Sequence, residues 1–172
     1  ARRIAQAAKP HADETRMKLA FVFVGGGKEP WLEELTSDYL AKLKPFCSVE
    51  LIRLKPSRDA RDSAQRKLAH ETAELMRVLK KDDLLILCDE RGEAVSSRKF
   101  SSKLVSLFER GRPRVVIMIG GAFGFSDEIR KRADWTWSLS TMVFNHHIAQ
   151  AVVLEQVYRA FAIWKNLPYH ND

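Results

Sequence analysis

Two five-residue runs, LLILC at 84–88 and VVIMI at 115–119, contain no charged residue and no alternation of polar with apolar. A strand with one wet face alternates. A strand without alternation is covered on both faces, as at the centre of a parallel sheet. The rest of the chain supplies the covering layers. Residues 19–24 and 49–54 are strand-like, and 135–139 is a short fifth strand. Residues 30–43 have helical spacing, with Trp31, Leu35, Tyr39 and Leu43 on one face. Residues 63–79 form a long amphipathic helix with Leu68, Leu75 and Leu79 inward, 101–109 is helical and closes at Gly111, and 148–164 is a closing helix. Strands alternating with helices predict an α/β fold, a mostly parallel sheet with helices on both faces.

A chain of 172 residues, 45% hydrophobic, is enough for one domain with a real core. Residues 1–16 lack apolar periodicity and Met17 opens the strand KLAFVFV. The domain therefore spans 17–172, behind an N-terminal extension expected to be disordered or left over from expression. No apolar run approaches a membrane span and no secretory h-region opens the chain, which points to a cytoplasmic protein with no membrane partner. Cys47 and Cys88 lie far apart without metal-ligand spacing, so they are expected as free thiols, with no metal. The net charge of +7 suits a polyanionic partner such as nucleic acid, though charge alone does not decide the point. The basic residues of the long helix (Arg66, Lys67, Arg77, Lys80 and Lys81) read as a solvated face, and Trp135, Trp137 and Trp164 as core anchors.

Two glycine clusters invite a nucleotide reading and fail it. G-x-G-x-x-G starting at Gly120 would need glycine where Ala122 and Phe125 stand, and a P-loop ending at Gly27-Lys28 would need glycine at Val22 and Ser or Thr at Glu29. Residues 25–27 read as a flexible turn between strand and helix. The Gly120 loop is different. It follows the buried run 115–119 and precedes Ser126-Asp127-Glu128, a helix start. In open parallel sheets ligands bind beyond the carboxyl ends of the strands. Residues 88–92, 120–121 and 139–144 all occupy such ends and could line one pocket.

The string WSLSTMVFNHHIAQAVVLEQVYRAF at 137–161, with IGGAFG upstream and PYH near the end, resembles the SPOUT methyltransferases. Within them it is similar to the ribosomal large-subunit methyltransferase H family, which methylates N3 of a pseudouridine in large-subunit (23S) ribosomal RNA. The resemblance runs from Met17 to the C-terminus. It implies a trefoil knot in the C-terminal part of the chain, S-adenosyl-L-methionine as cofactor, an obligate homodimer, and the assembled ribosome as the surface on which the RNA is met. The cofactor-lining positions fall on Cys88, Gly120 and Gly121, and on Leu139, Ser140, Thr141, Met142, Val143 and Phe144. Adenine needs flat apolar walls with backbone donors and acceptors, and glycine lets main chain come close.

The methyl group of such a cofactor is already activated, so the protein must align a nitrogen and manage its proton. The catalytic candidates are His146, Arg159, Tyr169 and His170. Each has a plainer alternative: a structural hydrogen bond for His146, a helix ion pair to Glu155 for Arg159, and a frayed tail for Tyr169 and His170. Gln150 stands where the family usually has arginine, which predicts loss of a fixed positive charge. Asn145 replaces a usual proline and is expected to loosen its loop, and Asn171 and Asp172 replace a more basic ending. Two function classes stay open: an RNA methyltransferase, with transfer RNA as another substrate, and a non-catalytic RNA- or ribosome-binding protein on the same scaffold.

Overall fold

The computed structural model describes residues 17–58, 61 and 63–171; the expectation for residues 1–16 lies outside them. The order of elements is β1 (Lys18–Val24), α1 (Pro30–Leu43), β2 (Ser48–Leu54), α2 (Ala64–Val78), β3 (Leu84–Ala94), α3 (Ser97–Phe108), β4 (Val115–Ile119), α4 (Asp127–Arg132), β5 (Trp135–Ser138) and α5 (His146–Trp164). The five strands form one sheet in the order β2-β1-β4-β3-β5, with every pair parallel. The two apolar runs pair directly, Leu84 opposite Val115 and Cys88 opposite Ile119. All five residues of β4 are buried, as a strand inside a two-sided sheet requires.

The period of two along β1 divides the core into two layers. Leu19, Phe21 and Phe23 join Leu43 of α1, Phe100 and Leu104 of α3 and Val153, Val157 and Phe161 of α5. Ala20, Val22 and Val24 face the other way, toward Leu75 of α2 and Ile129 of α4. Helices thus cover both faces. At the amino pole the buried guanidinium of Arg114 joins Asp83 at 2.6 Å and Glu50 at 2.7 Å and donates to the carbonyl of Val78 at 3.0 Å. One side chain ties β2, the end of α2 and the start of β3 together.

Several local expectations need correction. Of the face expected for α1, Leu43 is buried and Leu35 and Tyr39 pack against the core, but Trp31 is 43% exposed, and Leu32 and Thr36 are buried as well. Trp135 and Trp137 are buried against Phe100, but Trp164 is exposed beneath the ammonium of Lys165. Helix α3 begins at Ser97, capped by Ser96, whose hydroxyl accepts from the Lys99 N–H at 3.3 Å. Its polar first turn carries no apolar period to read. Strand β3 does not stop at Cys88. It runs on to Ala94, and Cys88 and Glu93 both pair with Trp137, so the chain between them bows out of the ladder. Gly92 permits the return: a Cβ there would sit 2.6 Å from the carbonyl carbon of Trp137.

Candidate functional site

The bowed segment of β3, the loop after β4 and the loop after β5 meet at the carboxyl edge of the sheet. They enclose a cavity of about 340 Å³ beside the first turns of α5. Of the residues expected to line a cofactor site, Cys88, Gly120, Gly121, Leu139, Ser140, Met142, Val143 and Phe144 line this cavity. Thr141 does not; it is exposed. His146 is also at the wall.

The loop after β4 folds back on itself. Gly121 and Gly124 form an isolated antiparallel bridge, with the Gly124 N–H donating to the Gly121 carbonyl at 3.1 Å. Gly124 has a φ of 69°, in the left-handed region that favours glycine. A Cβ on Gly120 would lie 2.8 Å from the Gly124 carbonyl oxygen. Gly120 therefore admits the loop's own backbone. Ser126 caps α4, accepting from the Ile129 N–H at 3.4 Å, as the Ser-Asp-Glu start predicts.

A side chain missed by sequence reading holds this loop. Arg130 of α4 donates through Nε and Nη2 to Asp89 Oδ2 at 2.9 and 2.7 Å, and through Nη1 to the Phe125 carbonyl. It joins the glycine loop to the bowed end of β3. Nearby, burial and then the charge of Asp89 push the Cys88 thiol far above its ordinary range. A thiol held neutral is a wall, not a nucleophile.

The loop after β5 carries its apolar residues outward: Met142 is 71% exposed and Val143 81%. Ser140 orders it, accepting from the Met142 N–H at 2.9 Å. Asn145 does not loosen the segment. It is the N-cap of α5, its side chain accepting from the His147 N–H at 2.9 Å. This cap places His146 at the first helical position. Its ring packs 4.0 Å from that of His147, and burial followed by the charge of His147 holds its pKa below the ordinary value. Near neutral pH His146 is a neutral imidazole.

Gln150 is fully buried. Its Oε1 accepts from Arg53 Nη1 at 2.8 Å, while Arg53 Nη2 pairs with Glu33 at 2.6 Å. Position 150 itself carries no charge, and the guanidinium bonded to it comes from β2 and is paired with Glu33. The 25–27 turn is not merely flexible. Gly25 and Gly26 have φ of 81° and 95°, and a Cβ on Gly26 would fall 2.5 Å from Gln150 and 2.9 Å from Arg53. The turn is a packed joint under α5.

Arg159, Tyr169 and His170 form a second group. Arg159 Nε donates to Glu155 at 3.0 Å, its Nη1 meets His170 Nδ1 at 3.1 Å, and its guanidinium lies 4.8 Å from the centre of the Tyr169 ring. The Tyr169 hydroxyl donates to Glu155 at 3.0 Å and lies 3.3 Å from the Tyr39 hydroxyl. The tail is therefore folded onto α1 and α5 rather than frayed. Burial, Tyr39 and Glu155 push the Tyr169 phenol well above its usual range, so it stays neutral. Arg159 pairs with Glu155, and its guanidinium also faces the tail at His170. Arg159 lies on α5 thirteen residues beyond His146, about 20 Å at 1.5 Å per residue. None of the three line the cavity. Among the described residues, no group of three or more His, Cys, Asp or Glu could hold a metal, and no helix is long and apolar enough to cross a membrane.

Comparison with known proteins adds the following. Residues 17–170 match the family model described as Predicted SPOUT methyltransferase. The chain is 41% identical over 155 residues to the ribosomal RNA large subunit methyltransferase H of Bdellovibrio bacteriovorus, covering 90% of this chain and 99% of that one. It is 36% identical over 155 residues to the protein of the same description from Geobacter sulfurreducens, covering 90% and 100%. Its fold is similar to that of a probable methylase family protein from Haemophilus influenzae, with a TM-score of 0.52 at 13% identity, covering 90% of this chain and 69% of that one.

Proposed function

The chain belongs to the SPOUT methyltransferase family, in the group of the ribosomal RNA large subunit methyltransferase H proteins, and from that premise we propose that it transfers a methyl group from S-adenosyl-L-methionine to N3 of a pseudouridine in 23S ribosomal RNA, on the assembled ribosome. The observation that carries the proposal is the convergence of three strand-end segments on one cavity. Its volume of about 340 Å³ lies in the range of small-molecule sites, roughly 300–1,000 Å³. Its walls pair the apolar side chains of Leu139 and Phe144 with the exposed backbone of a glycine loop. That is the combination an adenosyl group needs: flat apolar contact and main-chain hydrogen bonds. The cofactor supplies a methyl group already activated on a sulfonium.

In this reading the residues divide the work as follows. The segment from Leu139 to Phe144, Thr141 included, wraps the cofactor, and Cys88, Gly120 and Gly121 form the opposite wall. His146, held neutral, accepts a proton or hydrogen bond at the edge of the incoming base. Arg159 contacts phosphate or a uracil carbonyl, and Tyr169 with His170 closes over the base. Because that second group is about 20 Å along α5 from His146, we infer that the enzyme is a homodimer in which one protomer's tail completes its partner's pocket. A trefoil knot in the C-terminal part of the chain is part of the same proposal.

The test is methyl transfer from radiolabelled S-adenosyl-L-methionine to assembled large subunits from an unmethylated strain, to protein-free 23S RNA and to transfer RNA, with the product mapped by mass spectrometry. Label on N3 of a pseudouridine in assembled particles supports the proposal. Preferred labelling of transfer RNA contradicts it, and efficient labelling of protein-free RNA contradicts the ribosomal requirement.

A further inference from the structure

The ladder between β3 and β4 ends at Cys88 opposite Ile119. Beyond that pair the two strands part, one into the bow and the other into the glycine loop, and both line the cavity. The bow opens with Asp89, whose side chain is only 4% exposed although Glu90 and Arg91 beside it are exposed. A buried carboxylate is costly unless its oxygens are taken up, and both are. Oδ1 accepts from the Arg91 N–H at 3.0 Å and so closes a turn within the bow. Oδ2 accepts from Arg130 Nε and Nη2 at 2.9 and 2.7 Å, and Arg130 Nη1 donates to the Phe125 carbonyl. The Phe125 side chain is anchored in the core layer with Leu75 and Ile129. A second carboxylate, Asp127, lies 4.0 Å from Nη1 with its side chain 90% exposed, too far for a hydrogen bond. The return of the bow is held separately, where Glu93 accepts from Lys99, Lys103 and the Trp135 indole N–H.

We propose that Asp89 and Arg130 are a pair of positioning residues that pre-form the cofactor pocket: their ion pair takes over where the β3–β4 ladder stops and fixes the bow against the glycine loop. The proposal rests on the cofactor reading given above. Two of the three walls of the cavity are then set before any ligand arrives. A loop that orders only on binding subtracts its ordering from the affinity, and a loop already held does not. Charge-assisted bonds suit this task, because the two Nε and Nη2 contacts to one carboxylate fix direction as well as distance. The pair also answers its own charge. Both oxygens of Asp89 and all three nitrogens of Arg130 have protein partners. The pair therefore acts on the pocket through the backbone of the two loops and not by reading a charged group of the ligand.

The test compares the wild type with Arg130→Ala, Asp89→Asn and the double variant, each well below its unfolding temperature. One readout is calorimetric titration with S-adenosyl-L-methionine and with 5′-methylthioadenosine, which lacks the charged amino-acid end. The other is hydrogen exchange by NMR, without ligand, of the Gly124 amide, which is bonded inside the glycine loop. In Arg130→Ala the affinity for both ligands falls about tenfold and Gly124 exchange accelerates. The double variant, which leaves no buried carboxylate unpaired and so keeps the comparison open if Arg130→Ala unfolds, binds no more weakly than Arg130→Ala, because the two residues act as one unit. A loss confined to S-adenosyl-L-methionine would make Arg130 a direct contact of its carboxylate and overturns the proposal, as do losses that add in the double variant. A purely structural role would lower the unfolding temperature and leave both readouts of the folded variants unchanged, which also overturns it. If the wild type binds neither ligand, the cofactor reading fails. The exchange comparison still decides the coupling of the two loops: faster Gly124 exchange in the variants supports it, and unchanged exchange overturns it.

Discussion

Arg53 Nη1 lies 2.8 Å from Gln150 Oε1, beneath the turn made by Gly25 and Gly26. The residues are 97 positions apart, one on β2 and one on α5, and the bond joins the start of α5 to the sheet. The same guanidinium donates to the Gly25 carbonyl at 3.3 Å and pairs with Glu33. Arg53→Leu leaves the fully buried Gln150 amide without its charged partner and is expected to cost about 1–3 kcal/mol in urea unfolding. Arg53→Lys recovers only part of this, because one ammonium cannot reproduce the planar fork.

His146 sets an acid limit. Its pKa is lowered in the folded chain by burial and then by His147, so the unfolded state binds its proton more tightly. The stability this contributes is fully present above the ordinary value of 6.5 and is lost as pH falls through the lower folded value. An NMR titration should place the ring's midpoint below that ordinary value. His146→Ala should leave cofactor affinity near wild type and reduce methyl transfer by about 10²–10⁴-fold, the scale of a lost acid–base group.

Arg114 makes a contrasting case, since it lies at the opposite pole from the cavity. Its partner Asp83 has a side chain only 1% exposed. Arg114→Ala leaves that carboxylate buried and unpaired, with an expected loss of about 3–5 kcal/mol in denaturant unfolding. Cofactor affinity of the folded variant should not change.

The homodimer proposal predicts complementation. A protomer with a broken pocket, Gly124→Val, and one with a broken second group, Arg159→Ala, should each be inactive as homodimers. Mixed dimers place an intact pocket beside an intact tail and should recover activity at one of the two sites. Inactive mixed dimers, shown by native mass spectrometry to have formed, would contradict a shared site.

The layers of this fold were legible wherever burial leaves a local mark. The runs that became β3 and β4 announce themselves because a strand covered on both faces needs no polar residue. The Ser126 cap and the strand-end position of the glycine loop are local for the same reason. The polar first turn of α3 carries no such mark, nor does the bowed continuation of β3 through Asp89-Glu90-Arg91, which reads as a loop by composition. The contacts that shape the site were the least legible. Arg130 reaches Asp89 across 41 positions and Arg53 reaches Gln150 across 97. Long-range pairing sets these roles, and residue type alone does not encode it.

The proposed function requires the cavity between the glycine loop and the loop after β5 to take S-adenosyl-L-methionine. Calorimetric titration of the wild type and of Gly124→Val tests it most directly, since a branched side chain at a φ of 69° cannot keep the loop's turn. One cofactor is expected to bind per wild-type chain, and none to a variant that remains folded by circular dichroism. A folded wild type that binds none, or a variant that binds as well, would contradict it.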